Sequence, residues 1–373
     1  MASSTEKKSD RLISLDALRG FDMFWISGGD SLMIALKALT GAPFFVWMAR
    51  NMEHVPWDGF RIYDMIFPLF LFIAGVSMPY SLSKRKNRGD SMSSIYLHMF
   101  TRLFLLLLLG VIHNHILQFK WEEQRYASVL GHIGLAWFFA ALIMLNTRIR
   151  GQIIWFFGIL LAYWAAMKLI PVPGYGAGVL TQEGSLAGYI DRMILPGKLY
   201  LINHDPEGIL STIPAIATAL LGVLTGQLLI GNIKKFKPFQ KVLILLVAGG
   251  ICLGLGSLWG LVFPINKNLW TSSFVLYAGG WSLIVLSVFY LIIDVLGLKK
   301  WSFPFVVIGL NSILIYMLNG GIIDFEAMGR YFFGGLATLF SGPAQPVVLI
   351  SGSILCMWTF LYIMYKNKIF LKV

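Results

Sequence analysis

Residues 65–88 read MIFPLFLFIAGVSMPYSLSKRKNR, and this stretch decides the fold class. Its apolar part, Met65 to Leu82, has nearly the length a helix needs to cross a hydrocarbon core of about 30 Å. It stops at Lys84-Arg85-Lys86-Asn87-Arg88, the kind of basic cluster that marks a cytoplasmic loop. Similar runs recur on both sides of it. One follows Arg19-Gly20 to about Leu39, and the others cover roughly 95–117, 129–145, 153–170, 209–230, 242–263, 273–296, 303–318 and 347–365. The pattern predicts an all-α, polytopic integral membrane bundle of about ten transmembrane helices.

Composition agrees. Of 373 residues, 57% are hydrophobic and 13% charged, with a mean hydropathy of +0.73. A soluble domain carries about a quarter charged residues. One transmembrane domain over 1–373 is therefore expected, with 1–19 as a cytoplasmic N-terminal segment and 171–208 as a long outer loop. The net charge of +12 is not read as a nucleic-acid surface, because the positive residues sit in short loops between apolar runs. Basic clusters follow every second run, and Lys7, Lys8 and Arg11 precede the first. That positive-inside pattern puts both termini in the cytoplasm of a multi-pass protein of the cell (inner) membrane. Met1 to Asp10 lacks an apolar core before a cleavage site, so no cleaved signal peptide is expected. Cys252 and Cys356 lie in apolar runs, which argues against a disulfide framework or thiolate metal site. Residues 330–346 read as re-entrant or interfacial, or as a shift in the number of crossings.

Ionisable residues near a bilayer are functional candidates by default. On this topology His54, His113, His115, His132 and His204 share the outer face, and only His98 lies inside. Five outward histidines suggest a polar chamber there; no HExxH-type spacing supports a metal, and none is expected. His54 is followed by Trp57, Asp58 and Asp64 in a segment that enters the second run. Imidazole accepts and returns a proton near neutral pH, and a neighbouring carboxylate, Asp58 or Asp64, can orient it. Trp57 with His54 reads alternatively as an interfacial anchor. At the inner face Asp16 and Arg19, three apart, form an ion pair on one helical face or, with Arg85, Arg88 or Arg102, meet the phosphates of a nucleotide cofactor. On the outer side, Asp205-Pro206-Glu207 suits a helix start as well as a binding role. Asn266, Lys267 and Asn268 suit hydroxyl groups, and Trp270 suits the apolar face of a sugar. Asn311 reads as packing glue.

Across the whole chain these residues resemble the heparan-alpha-glucosaminide N-acetyltransferase family and its bacterial transmembrane relatives. The matching stretches are RLISLDALRG (11–20), HVPWDGFRIYDMIFP (54–68), LIPVPG (169–174), GYIDR (188–192), DPEGILSTI (205–213), PINKNLW (264–270), GLNSILIY (309–316) and Lys368-Ile369-Phe370. The resemblance implies an enzyme that takes acetyl from cytoplasmic acetyl-CoA and delivers it to an amino sugar or glycan beyond the membrane. It implies that His54 is catalytic, as general base or as acetyl carrier. The family's asparagine late in the first helix is matched by Asp30, where the acetyl group is contacted. Gly131-His132 stands where the family has Gln-Arg, which adds a histidine near the site. Membrane lipid and a homodimeric partner fit the same picture. The rival class is a secondary transporter or flippase for a sugar or lipid-linked glycan, which calls for midplane charges and broken helices. A non-catalytic scaffold leaves the outward histidines unexplained.

Overall fold

In the computed structural model each apolar run falls on helix, and two of the runs are broken. The structure describes residues 12–371 except 120, 232 and 234. Lys7, Lys8 and Arg11, used above for topology, lie outside the described residues. The elements are α1 (Ile13–Phe24), α2 (Asp30–Thr40), α3 (Pro43–Asn51), α4 (Ile66–Asn87), α5 (Met92–His113), α6 (Val129–Asn146), α7 (Ile149–Leu169), α8 (Leu186–Ile194), α9 (Ile209–Ile230), α10 (Pro238–Gly260), α11 (Ser272–Phe289), α12 (Phe303–Gly309), α13 (Ser312–Met317), α14 (Phe325–Ala337) and α15 (Ala344–Lys366). A two-residue hairpin, β1 (Pro171–Val172) with β2 (Gly176–Ala177), precedes α8.

Among the described residues, eight helices are long and apolar enough to span a membrane, and the bent pair Lys300–Gly309 and Ser312–Ile322, at 60°, supplies a ninth. The remaining run is divided between α1 and α2. Its helix is interrupted over Trp25–Gly29, where Ser27 leaves helical geometry and Gly28 takes φ 114°. That left-handed backbone excludes most residues other than glycine. A second interruption, over Leu318–Ile322, places Gly321 at φ 98°. The two breaks meet, with Asn319 Nδ2 donating to Ser27 Oγ at 2.8 Å. Irregular backbone at membrane depth needs protein or water around it, so this pairing marks an internal surface.

The segment 330–346 takes in the second half of α14, a turn and the first residues of α15, and the Phe325 ring of α14 meets Phe360 of α15 at 6.2 Å. At 13 residues, α14 is about 20 Å long, too short for a crossing of its own.

The centre of the bundle is α4 against α9, each burying 78% of its apolar window, whereas α10 buries 22% and α15 17%. The close contact requires small residues. A side chain at Gly222 would overlap the Phe72 carbonyl of α4, and one at Gly75 the Ala219 carbonyl of α9. Above this seam Trp137, Trp270, Phe274 and Leu71 form the largest apolar cluster. Gly250, on the lipid-facing helix α10, has nothing within 4 Å of the same position. Gly222→Leu is therefore expected to lower stability by about 1–3 kcal/mol or more, and Gly250→Leu to leave it nearly unchanged, by thermal unfolding in detergent. Equal melting of the two variants would contradict the α4–α9 seam.

Candidate active site

His54 lies in irregular chain between α3 and α4 that is pinned on both sides. Trp57 Nε1 donates to the Leu180 carbonyl at 2.8 Å. Asn266 Nδ2 donates to Asp58 Oδ1 at 3.0 Å, and Gly59 N to the Ile265 carbonyl at 2.8 Å. The chain then enters α4 through a short 3₁₀ turn, Ile62–Met65, which carries Asp64. Asp64 Oδ1 lies 2.7 Å from His54 Nδ1, and Asp64 Oδ2 accepts from Arg61 N at 2.9 Å. The carboxylate is 1% exposed and the imidazole 48% exposed. A carboxylate only accepts, so Nδ1 carries the proton and Nε2 is left as the free base. The arrangement is a fixed acceptor behind a reachable imidazole. The Tyr63 ring packs against His54 with centroids 4.8 Å apart, and its hydroxyl donates to Asp30 Oδ2 at 3.1 Å.

Lys267 reaches the same imidazole from the 264–271 turn. Its Nζ is 3.2 Å from both His54 Nδ1 and Nε2, and 4.0 Å from Asp64 Oδ1. Burial pulls the Lys267 ammonium below the usual lysine range, and Asp64 and Glu207 offset this only in part.

The facing wall comes from two distant loops. Arg125 Nε donates to Asp205 Oδ2 at 2.7 Å and Arg125 Nη2 to Asp205 Oδ1 at 2.5 Å. The same guanidinium contacts Glu207 and lies 4.7 Å from the Tyr200 ring centroid. Tyr200 N and Glu207 N also donate to Asp205, each at 3.1 Å. Burial pushes the Asp205 carboxyl up, but the Arg125 hydrogen bonds and charge outweigh it and hold the group below the usual range. For Glu207 burial wins over the Arg125 charge, and the group lies above its usual range. Behind this wall His204 Nε2 donates to the Asn268 carbonyl at 2.7 Å, and its Nδ1 lies 3.4 Å from Asp191 Oδ2.

Between the two walls is a cavity of about 550 Å³, a size typical of small-ligand sites. His54, Tyr63, Asp64, Arg125, Glu207, Lys267 and Asn268 supply its polar surface. Its apolar surface includes Met23 and Ile26 beside the first helix break, Phe67 and Phe70 of α4, and Ile313 and Tyr316 beside the second.

Of the residues singled out in the sequence, His54, Asp64, Glu207 and Asn268 line this cavity, and Asp205 stands directly behind it. Trp57, Asp58 and Asn266 brace the surrounding loops. Asn266 is fully buried, and its Oδ1 accepts from Leu269 N at 2.8 Å. The reading of Trp270 as a sugar platform is corrected. It is 1% exposed, and its Nε1 donates to Thr218 Oγ1 at 3.1 Å within a cluster with Phe67, His132 and Phe274. His132 is buried in that cluster, with Nδ1 3.3 Å from Thr212 Oγ1, and does not line the cavity. Asp30 reaches the site only through Tyr63. Asp16, Arg19 and Arg102 are not brought to the cavity: Arg19 donates to Ser77 Oγ at 3.1 Å and lies 3.9 Å from Asp16, and Arg102 stacks 4.2 Å over Trp137. Asn311 ties down the C-terminal segment, donating to the Ile369 carbonyl and accepting from Leu371 N, each at 3.0 Å.

Arg125, Tyr63, Tyr200 and Tyr316 were not foreseen; Lys267, read with Asn266 and Asn268 as suited to hydroxyl groups, lines the cavity beside the imidazole. His113 stacks 4.4 Å from Tyr316, and the sequence signal for that tyrosine was its place at the end of the GLNSILIY stretch.

No family model matches the chain. Among curated proteins, it is 30% identical to the heparan-alpha-glucosaminide N-acetyltransferase of Mus musculus over 383 residues, covering 86% of this chain and 56% of that protein. With the Homo sapiens protein of the same name it is 28% identical over 423 residues, covering 97% of this chain and 60% of the relative. These two matches, over most of the chain, support membership of the heparan-alpha-glucosaminide N-acetyltransferase family. It spans less than two thirds of the length of these two relatives. The family match covers nearly all of the chain that builds the cavity, and both walls of the site lie inside it.

Arg125→Gln would leave Asp205 and Glu207 buried without their guanidinium partner, at a cost of about 3–5 kcal/mol. Both carboxyls then bind protons more tightly folded than unfolded, so the variant should gain stability as pH falls from 8 to 5. The parent lacks that gain at Asp205: the carboxylate's contribution is held from pH 8 to 5 and is lost only as pH falls below its unfolded pKa of about 3.9 toward its lower folded value. Melting temperatures across that range, compared between the two proteins, check the sign.

Proposed function

We propose that this protein transfers an acetyl group from acetyl-CoA to the amine of a glucosamine-type sugar, with His54 as the proton acceptor. The observation that carries the reading is the reachable imidazole fixed by buried Asp64 on the wall of a cavity inside a membrane bundle. The names of the relatives supply the reaction class.

Amide formation from a thioester needs an uncharged amine and a base to take its proton. The amine nitrogen attacks the thioester carbonyl carbon while Nε2 of His54 removes a proton. Asp64 stabilises the imidazolium through Nδ1. The carbon–sulfur bond then breaks, and the sulfur leaves as a thiol after taking that proton. The facing wall sets two carboxylates, Asp205 and Glu207, against one guanidinium. Its surplus negative charge favours an approaching amino sugar, which reacts as the uncharged amine after releasing its extra proton to solvent. Asn268 and Tyr316 offer polar groups to sugar hydroxyls. The cavity has room for a thioester tip beside one sugar ring.

Sidedness follows from the basic loops. The cavity end of the bundle is the outer end, and both termini are cytoplasmic, in the inner membrane of the cell. Acetyl-CoA then enters from the basic face, and its acyl arm passes along the paired breaks at Ser27 and Asn319. A secondary transporter is the second reading, and those paired breaks are the observation that favours it.

The two readings separate by product. Purified protein supplied with acetyl-CoA and glucosamine should form N-acetylglucosamine. His54→Ala should lower the rate by about 10²–10⁴-fold. Asp64→Asn, whose amide can present a donor to Nδ1, should lower it by about 10²-fold or more. Full activity in His54→Ala would remove the histidine from the mechanism. Sugar uptake into vesicles with no acetylated product would favour the transporter.

A further inference from the structure

Lys267 is the lysine that lines the cavity among the described residues. Its backbone is held firmly: Asn266 N donates to Thr271 Oγ1 at 3.1 Å, Trp270 N to the Lys267 carbonyl at 3.0 Å, and the flanking Asn266 and Trp270 side chains are buried. The side chain is 15% exposed and points its amine at the catalytic imidazole. A primary amine at hydrogen-bond distance from His54 is the relation that an acceptor sugar must establish in order to react. We propose that Lys267 occupies the acceptor amine's place in the unloaded site, and that acetyl-CoA acting without acceptor acetylates its Nζ.

The inference rests on the acetyltransferase reading of the cavity and goes beyond it by assigning a modification site. The step needs no reactant other than the thioester. Nζ, as the free amine, attacks the carbonyl carbon, and His54 Nε2 takes one Nζ proton. The carbon–sulfur bond breaks, and the departing sulfur accepts that proton. The products are an amide on Lys267 and the thiol of CoA. Desolvation of Lys267 favours the uncharged amine that this attack requires. The acetylated side chain is longer and uncharged, and it stays beside Nε2, so it caps the site. Acceptor sugar protects the enzyme by displacing the amine before acyl transfer. Exposed lysines such as Lys198 and Lys299 lie outside the cavity and have no such base beside them.

The test uses the full chain in nanodiscs with isotopically labelled acetyl-CoA, with and without glucosamine, followed by peptide mass mapping. A parallel sample measures N-acetylglucosamine. Without sugar, the label should accumulate on Lys267 far above Lys198. Glucosamine should suppress it, and His54→Ala should reduce it by about 10²-fold or more while leaving the background at Lys198 unchanged. Acetylation of glucosamine with no label on Lys267, or with equal label on Lys198, overturns this inference alone. Labelling of Lys267 that survives His54→Ala undiminished also overturns it. Absence of label from both glucosamine and Lys267 overturns the acetyltransferase reading as well.

Discussion

Asp64 stands at the head of a central membrane helix with almost no access to water, and a carboxylate there must be surrounded by donors. The structure meets that demand with the Arg61 amide, the His54 imidazole and the nearby Lys267 ammonium. His54 and Arg61 come from the chain that leads into α4, and Lys267 brings the 264–271 turn to the same point. The requirement that stabilises one buried charge therefore also fixes the tautomer of the imidazole and sets a lysine against it. Removing Asp64 would disturb the site's geometry and its proton chemistry together.

The second wall repeats this logic with the charges arranged differently. Arg125 and Asp205 are 80 residues apart and meet in a two-point ion pair, with Glu207 sharing the guanidinium. Here the bond to arginine outweighs desolvation for one carboxyl and not for the other. Two polar walls face each other across an apolar cleft: His54, Lys267 and the buried Asp64 on one side, Arg125, Asp205 and Glu207 on the other. The cleft continues toward the breaks in the first and ninth runs, where unwound backbone is sheltered by protein.

The fold class was legible because crossing a bilayer imposes one dominant requirement, length of apolar sequence, and residues 65–82 and their counterparts meet it openly. The breaks were not legible in the same way. Hydropathy runs on through Ser27-Gly28-Gly29, and only the paired glycines hint that the helix yields there. His54 and Asp64 could be read together because both lie at the entrance to one helix. Arg125 could not be read as a site residue, since its partners are 80 and 82 residues away and basic loop residues are common in any membrane protein. In the 264–270 stretch, Asn266 and Trp270 drew attention as sugar-binding types. Burial turned both into braces, and the residues of the stretch that line the cavity are Lys267 and Asn268 between them. Asp16, Arg19 and Arg102 show the converse: charges close to the expected inner face make local ion-pair, hydroxyl and cation–π contacts that sequence cannot distinguish from ligand contacts.

The central claim is that an acyl thioester reaches His54 through the interior of the bundle. It is tested most directly by an experimental structure with a CoA analogue that replaces the thioester by a non-transferable ketone. The account predicts the nucleotide end at the basic face, the arm beside Ser27 and Asn319, and the ketone in the cavity next to His54. A ketone held at the basic face, with the cavity left unfilled and no route between them, would contradict it.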